Sequence, residues 1–145
     1  LIGRLKVFAR SMEGIRKMQL FVNLPVKDLD RSQKFFTDLG FTMFGMAEGM
    51  ASVIISEQTQ VMLLTEPVFA SFTTKDVADA GKATEAILVL GMENPEQVDE
   101  LVDNALAAGA TPAGVKHEDG IRYQRGFADL DGHHWEALCL VRPAS

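Results

Sequence analysis

Residues 19–41 read QLFVNLPVKDLDRSQKFFTDLGF, and this stretch decides the fold. Gln19 to Leu24 alternates as a short strand, with Phe21 and Asn23 on one face and Leu20, Val22 and Leu24 on the other. Pro25 has no N–H to give a ladder, so it ends or edges that strand. Asp28 is a candidate N-cap for a helix running to about Asp38. Leu29, Phe35, Phe36 and Leu39 give that helix its apolar stripe, and Gly40 suits the position after its last turn.

Outward from this stretch, three short strands follow at Phe41 to Met46, Met50 to Ser56 and Gln60 to Thr65. The breaks between them are of hairpin length. Residues 19–65 therefore read strand, helix, strand, strand, strand. The order recurs over residues 85–141. Glu85 to Leu90 is a strand, and Pro95 opens a helix with Val98, Leu101, Val102, Ala105 and Leu106 as its stripe. Gly109 stops that helix, and strands follow at about 111–116, 121–128 and 135–140. Each half must bury its helix on one face of a small sheet. The expected fold class is α+β: paired βαβββ modules forming curved mixed sheets around a cleft, in one domain spanning residues 18–145. Between the halves, Pro67 to Lys82 has no sustained periodicity, although its polar part has room for a helical turn. Phe69 and Phe72 there are candidate covers for the cleft, or contacts to the core or to a second subunit.

The chain has 145 residues, 47% hydrophobic, with 14 basic against 20 acidic residues and a formal charge of -6. That length can bury a sizeable core. The charge offers no basic surface for nucleic acid. No apolar run approaches the ~20 residues of a membrane helix. The single cysteine, Cys139, has no partner for an internal disulfide and reads as buried filler, consistent with a reducing, cytoplasmic setting. Residues 1–17 are basic and mildly apolar. They read as an N-terminal extension, with a weak targeting segment as the other reading.

Chemistry concentrates near the C-terminus. Asp131-Gly132 is a turn signal, and the strand after it carries Glu136 among apolar residues. A carboxylate there must be paired, protonated or metal-bound. Glu136 is therefore a candidate cleft acid or metal ligand; the alternative is an ion pair with Arg122, Arg125 or Lys116. His133 and His134 are adjacent and point to opposite sides of a strand, so they cannot easily share one ion. Tyr123, Arg125 and Phe127 share a strand face and suit an anionic or planar ligand, or a structural ladder. Glu85 could face Glu136 and share a proton or a divalent cation with it.

With the repeat and the last strand in hand, the sequence resembles the vicinal oxygen chelate superfamily, the group of glyoxalase I, extradiol dioxygenases, and fosfomycin- and bleomycin-resistance proteins. The matching stretches are VNLPVKDLDRSQKFFTDLGF at 22–41, NPEQVDELVDNALAAGA at 94–110 and GFADLDGHHWEAL at 126–138. The resemblance implies four metal positions in the cleft. It sets them at Phe21, at or near Leu63, at Glu85 and at Glu136. Phe21 and Leu63 cannot ligate; Glu66 lies shortly after the second. The implied function is a small-molecule-binding protein without a complete metal site and without cofactor. Phe21, Asn23, Tyr123, Arg125 and Trp135 are its candidate ligand contacts, and Met62 is a further group near the cleft. The alternative is a lyase or isomerase resembling glyoxalase I, with Glu136 as catalytic residue and Glu85 and Glu136 holding Zn, Ni, Mn or Fe. A third reading is a pure interaction module. The expected partners are a small organic molecule and a second copy in a homodimer, with no nucleic acid and no membrane.

Overall fold

The computed structural model describes residues 18–140, and the N-terminal extension at 1–17 lies outside the described residues. The first sheet is built from β1 (Leu20–Val26), β2 (Thr42–Gly45), β3 (Met50–Ile54) and β4 (Thr59–Thr65), in the order β1-β4-β3-β2. The second comes from β5 (Ile87–Gly91), β6 (Thr111–Glu118), β7 (Arg122–Ala128) and β8 (His134–Leu140), in the order β5-β8-β7-β6. In both, the first strand pairs parallel with the last, and the remaining pairs are antiparallel. The result is two open mixed sheets of four strands, with β1 and β5 at free edges.

Helix α1 (Leu29–Asp38) crosses the first sheet, and α3 (Pro95–Ala107) crosses the second. Their starts follow from capping: Asp28 Oδ1 accepts from the Arg31 N–H at 3.1 Å, and Asn94 Oδ1 from the Gln97 N–H at 2.9 Å. The short α2 (Glu66–Ala70) follows β4 directly, where Pro67 fits a first helical turn. Residues 71–86 contain no helix; the turn expected within 73–82 is formed only by bonds from Lys82 and Ala83 N–H to the Asp79 carbonyl.

Burial divides each strand by parity. Val22, Leu24 and Val26 face the core that also holds Phe35 and Phe36 of α1, while Phe21 and Asn23 lie on the other, exposed face. In β8, Trp135, Ala137 and Cys139 enter the core. The two helix-bearing faces share that core. Phe35 and Phe36 of α1 meet Phe127 and Trp135 of the second sheet, with Phe36 and Trp135 ring centres 5.2 Å apart. Phe127 stacks on Trp135 with the rings 4° from parallel. Aromatic side chains bury large apolar areas, so this seam supplies much of the driving force joining the modules.

A polar latch borders the seam. Asp131 accepts from the Lys27 main-chain N–H at 2.9 Å and from Ser32 Oγ at 3.3 Å. His133 Nε2 donates to the Pro25 carbonyl at 2.7 Å. Buried Asp129 accepts from Trp135 Nε1 and from the N–H groups of Asp131 and His133. Burial pushes its carboxyl above the usual range, opposed by His133 and by the bond from Trp135.

Candidate functional site

A cavity of about 410 Å³ lies where the modules adjoin. One wall is β1 from Val22 to Pro25, and the opposite wall is the approach to β5 from Ala83 to Leu88. Residues of the 71–86 linker and Phe69 of α2 border it, and Gly132, His133 and His134 close one end. Asn23 and Glu85, two residues singled out from the sequence, therefore line one space. Phe69 lines it too, whereas Phe72 is 64% exposed and does not. The linker reaches this position because Gly132, at φ +94°, leaves room for it. A β-carbon there would lie 2.8 Å from the Ala80 carbonyl oxygen and the Gly81 nitrogen.

Glu136 is 5% exposed on the helix-free face of β8. Its Oε1 meets His134 Nε2 at 3.1 Å, and its Oε2 has no hydrogen-bond partner among the described residues. The carboxylate is enclosed by two glycines. A β-carbon at Gly126 of β7 or at Gly114 of β6 would overlap it. Gly114 has φ +73° at the register break of β6, which carries that strand across the carboxylate. Glu136 is thus paired with His134, and not with Arg122, Arg125 or Lys116. Arg122 instead reaches His117 and Asp119, and Lys116 reaches Glu118 and the face of Tyr123.

Tyr123, Arg125 and Trp135 were expected at the ligand; the structure turns them to the helix-bearing side. Tyr123 OH donates to Asp99 Oδ1 at 2.6 Å. Arg125 bridges Asp99 at 2.6 Å and Asp103 at 2.9 Å, fixing α3 to β7. The Tyr123 hydroxyl and Arg125 hold the Asp99 carboxyl below its usual range, and that bond to Asp99, with burial, raises the Tyr123 hydroxyl. Trp135 is fully buried in the seam. The reason is parity: residues sharing a face with Phe127 share its core side. Leu63 is corrected in the same way. It pairs with Leu24 and lies in the core, whereas Gln60 and Met62 pair with Phe21 and Asn23 on the opposite face. There Ser52 Oγ, fully buried, donates to Gln60 Oε1 at 2.6 Å, a polar pair the sequence reading missed.

The metal set implied by the resemblance does not fit these residues. Phe21 offers no donor, Leu63 is in the core, Glu85 and Glu66 are exposed, and Glu136 is enclosed against His134. Among the described residues, no three His, Cys, Asp or Glu side chains are grouped to hold an ion. A bound ion needs about three or four converging donors.

The two open sheets, each with its helix, define the class: a glyoxalase/bleomycin-resistance-like fold. Residues 19–56 match the family described as Bleomycin resistance protein-like N-terminal. Among solved structures, a hypothetical protein from S. aureus is similar with 29% identity and a TM-score of 0.73, covering 83% of this chain and 92% of that one. A glyoxalase/bleomycin resistance protein from Albidiferax ferrireducens has 23% identity and a TM-score of 0.65, covering 85% and 97%. The fosfomycin resistance protein FosX from Listeria monocytogenes, solved with Mn(II) and sulfate, has 16% identity and a TM-score of 0.60, covering 81% and 86%. No curated protein matches the sequence significantly. No helix among the described residues is long and apolar enough to cross a membrane.

Proposed function

We propose that this chain binds a small organic molecule and works without a complete catalytic metal site. The observation that carries this reading is the cavity of about 410 Å³ between β1 and β5, a volume in the range of small-molecule pockets. Its apolar walls, with Asn23, Glu85 and His134 among a few polar groups, suit binding and orientation. A homodimer belongs to the same proposal. Phe21, Ile87 and Val89 are each about half exposed on the free-edge strands, where a second copy would cover them. The acidic charge and single buried cysteine fit a cytoplasmic protein with no nucleic-acid partner.

The competing reading is a metal-dependent lyase or isomerase, favoured by one observation, the unpartnered Glu136 Oε2. A single experiment separates them. The protein is loaded with Zn, Ni, Mn or Fe, desalted and assayed for metal, and its thermal shift with a metabolite panel is compared with and without chelator. The expected result is metal far below one ion per chain and chelator-independent shifts. One retained ion per chain, lost in Glu136→Ala, would overturn the proposal in favour of the metal enzyme.

A further inference from the structure

The free edge of β1 carries information about the ligand. The Leu20 N–H donates to the Gln58 carbonyl at 2.8 Å, on the β4 side. Main-chain groups alternate sides along a strand, so Val22 and Leu24 also turn theirs to β4. Phe21, Asn23 and Pro25 therefore present theirs at the free edge. Pro25 agrees with this assignment: its carbonyl accepts from His133, which belongs to the second module. The cavity is lined by the consecutive residues Val22, Asn23, Leu24 and Pro25, so it meets this strand edge-on.

Along that part of the edge, one complete donor–acceptor pair is open. Pro25 has no N–H, and its carbonyl is engaged by His133. Asn23 offers both its N–H and its C=O, side by side as in any extended residue, and no neighbouring strand pairs with them among the described residues. We propose that the cavity takes a flat cyclic amide, a lactam or a heterocycle with N–H next to C=O, paired to the Asn23 main chain. The inference rests on the small-molecule reading above. A cyclic amide holds its N–H and C=O on the same side, as the complement of this pair requires. An extended peptide needs a second pair two residues along; at Pro25 that pair is missing, and the pair on the other side, at Phe21, lies outside the cavity lining. Phe69 and Leu88 on the cavity wall give the body of such a ring apolar contact.

The test uses the full chain labelled with ¹⁵N, titrated with 2-quinolinone, with N-methyl-2-quinolinone and with N-acetylvalinamide. The expected result is a saturable shift of the Asn23 amide with 2-quinolinone and affinity about 10-fold or more weaker for the N-methyl compound, which loses the donor and gains a clash. Asn23→Pro removes the N–H at an edge position that tolerates proline, and should lose the binding. If that variant does not fold, the two quinolinones decide alone. Equal affinity for both, or tighter binding of N-acetylvalinamide with shifts extending to Phe21, would overturn the cyclic-amide assignment and leave the cavity reading standing. No shift at any cavity residue with any probe would overturn both.

Discussion

The two sides of the module boundary are built differently. On one side Phe35, Phe36, Phe127 and Trp135 are all at or below 2% exposure and interlock as rings. On the other side, residues 71–86 run almost entirely exposed past the cavity, and Ala80 is the only one among them that is even half-buried. Close packing sets the relation of the modules, and loose packing leaves room for a ligand. The same few residues serve both: His133 bonds Pro25 across the latch and also lines the cavity. Stability and binding should therefore separate cleanly by mutation, except at the DLDGHH turn.

The largest effect that contrast predicts is at Trp135. Trp135→Ala removes the ring from the seam and leaves Asp129 Oδ2 without its donor, at a cost of about 3–5 kcal/mol. Urea unfolding of the variant measures it, and a loss below about 1 kcal/mol would break the distinction between seam and cavity.

A smaller effect is expected at Gly126. The added methyl of Gly126→Ala must displace the Glu136 carboxylate, costing about 1–3 kcal/mol. In the Glu136→Ala background the same change should cost less, because the carboxylate clash is gone and only the tight approach to the Ala113 carbonyl oxygen, 2.9 Å from the new β-carbon, remains. Additive costs in this double-mutant cycle would show that the enclosure of Glu136 is not what Gly126 provides.

The smallest effect is at the outer face of the second module. Asp99 has a lowered carboxyl pKa in the fold, through the Tyr123 hydroxyl and Arg125. Its stabilisation is therefore complete above the unfolded value near ~3.9 and is lost as pH falls through the lower folded value. Asp99→Asn should be slightly less stable than the parent at pH 7 and converge with it in acid. Half of this carboxylate meets solvent, so the difference at pH 7 should stay within about 1 kcal/mol. Parallel stability curves across pH would remove the ion pair from any account of how α3 is held.

Much of this was legible in order and little of it in direction. The DLDG turn was readable as a turn, yet nothing local says that Asp131 will cap Lys27, 104 residues away. Glu136 was legible as an anomalous carboxylate in an apolar strand. Its partner His134, two residues along on the same face, was within reach of strand parity. The glycines that enclose it were not, because Gly114 and Gly126 become its neighbours only through the pairing of β6, β7 and β8. Tyr123 and Arg125 show the limit most plainly. Alternation groups them correctly with each other and cannot say which face the helix covers.

By itself the sequence determined the strand and helix order of both halves, their caps and turns, and the fold class, since periodicity, proline, glycine and capping residues act over a few positions. Tertiary structure alone decided which face of each strand is core, that Asn23 and Glu85 share a cavity, and that Glu136 is enclosed rather than open. Those outcomes depend on strand register and on α1 packing against the second sheet, and contacts between residues a hundred positions apart leave no local signature in the chain.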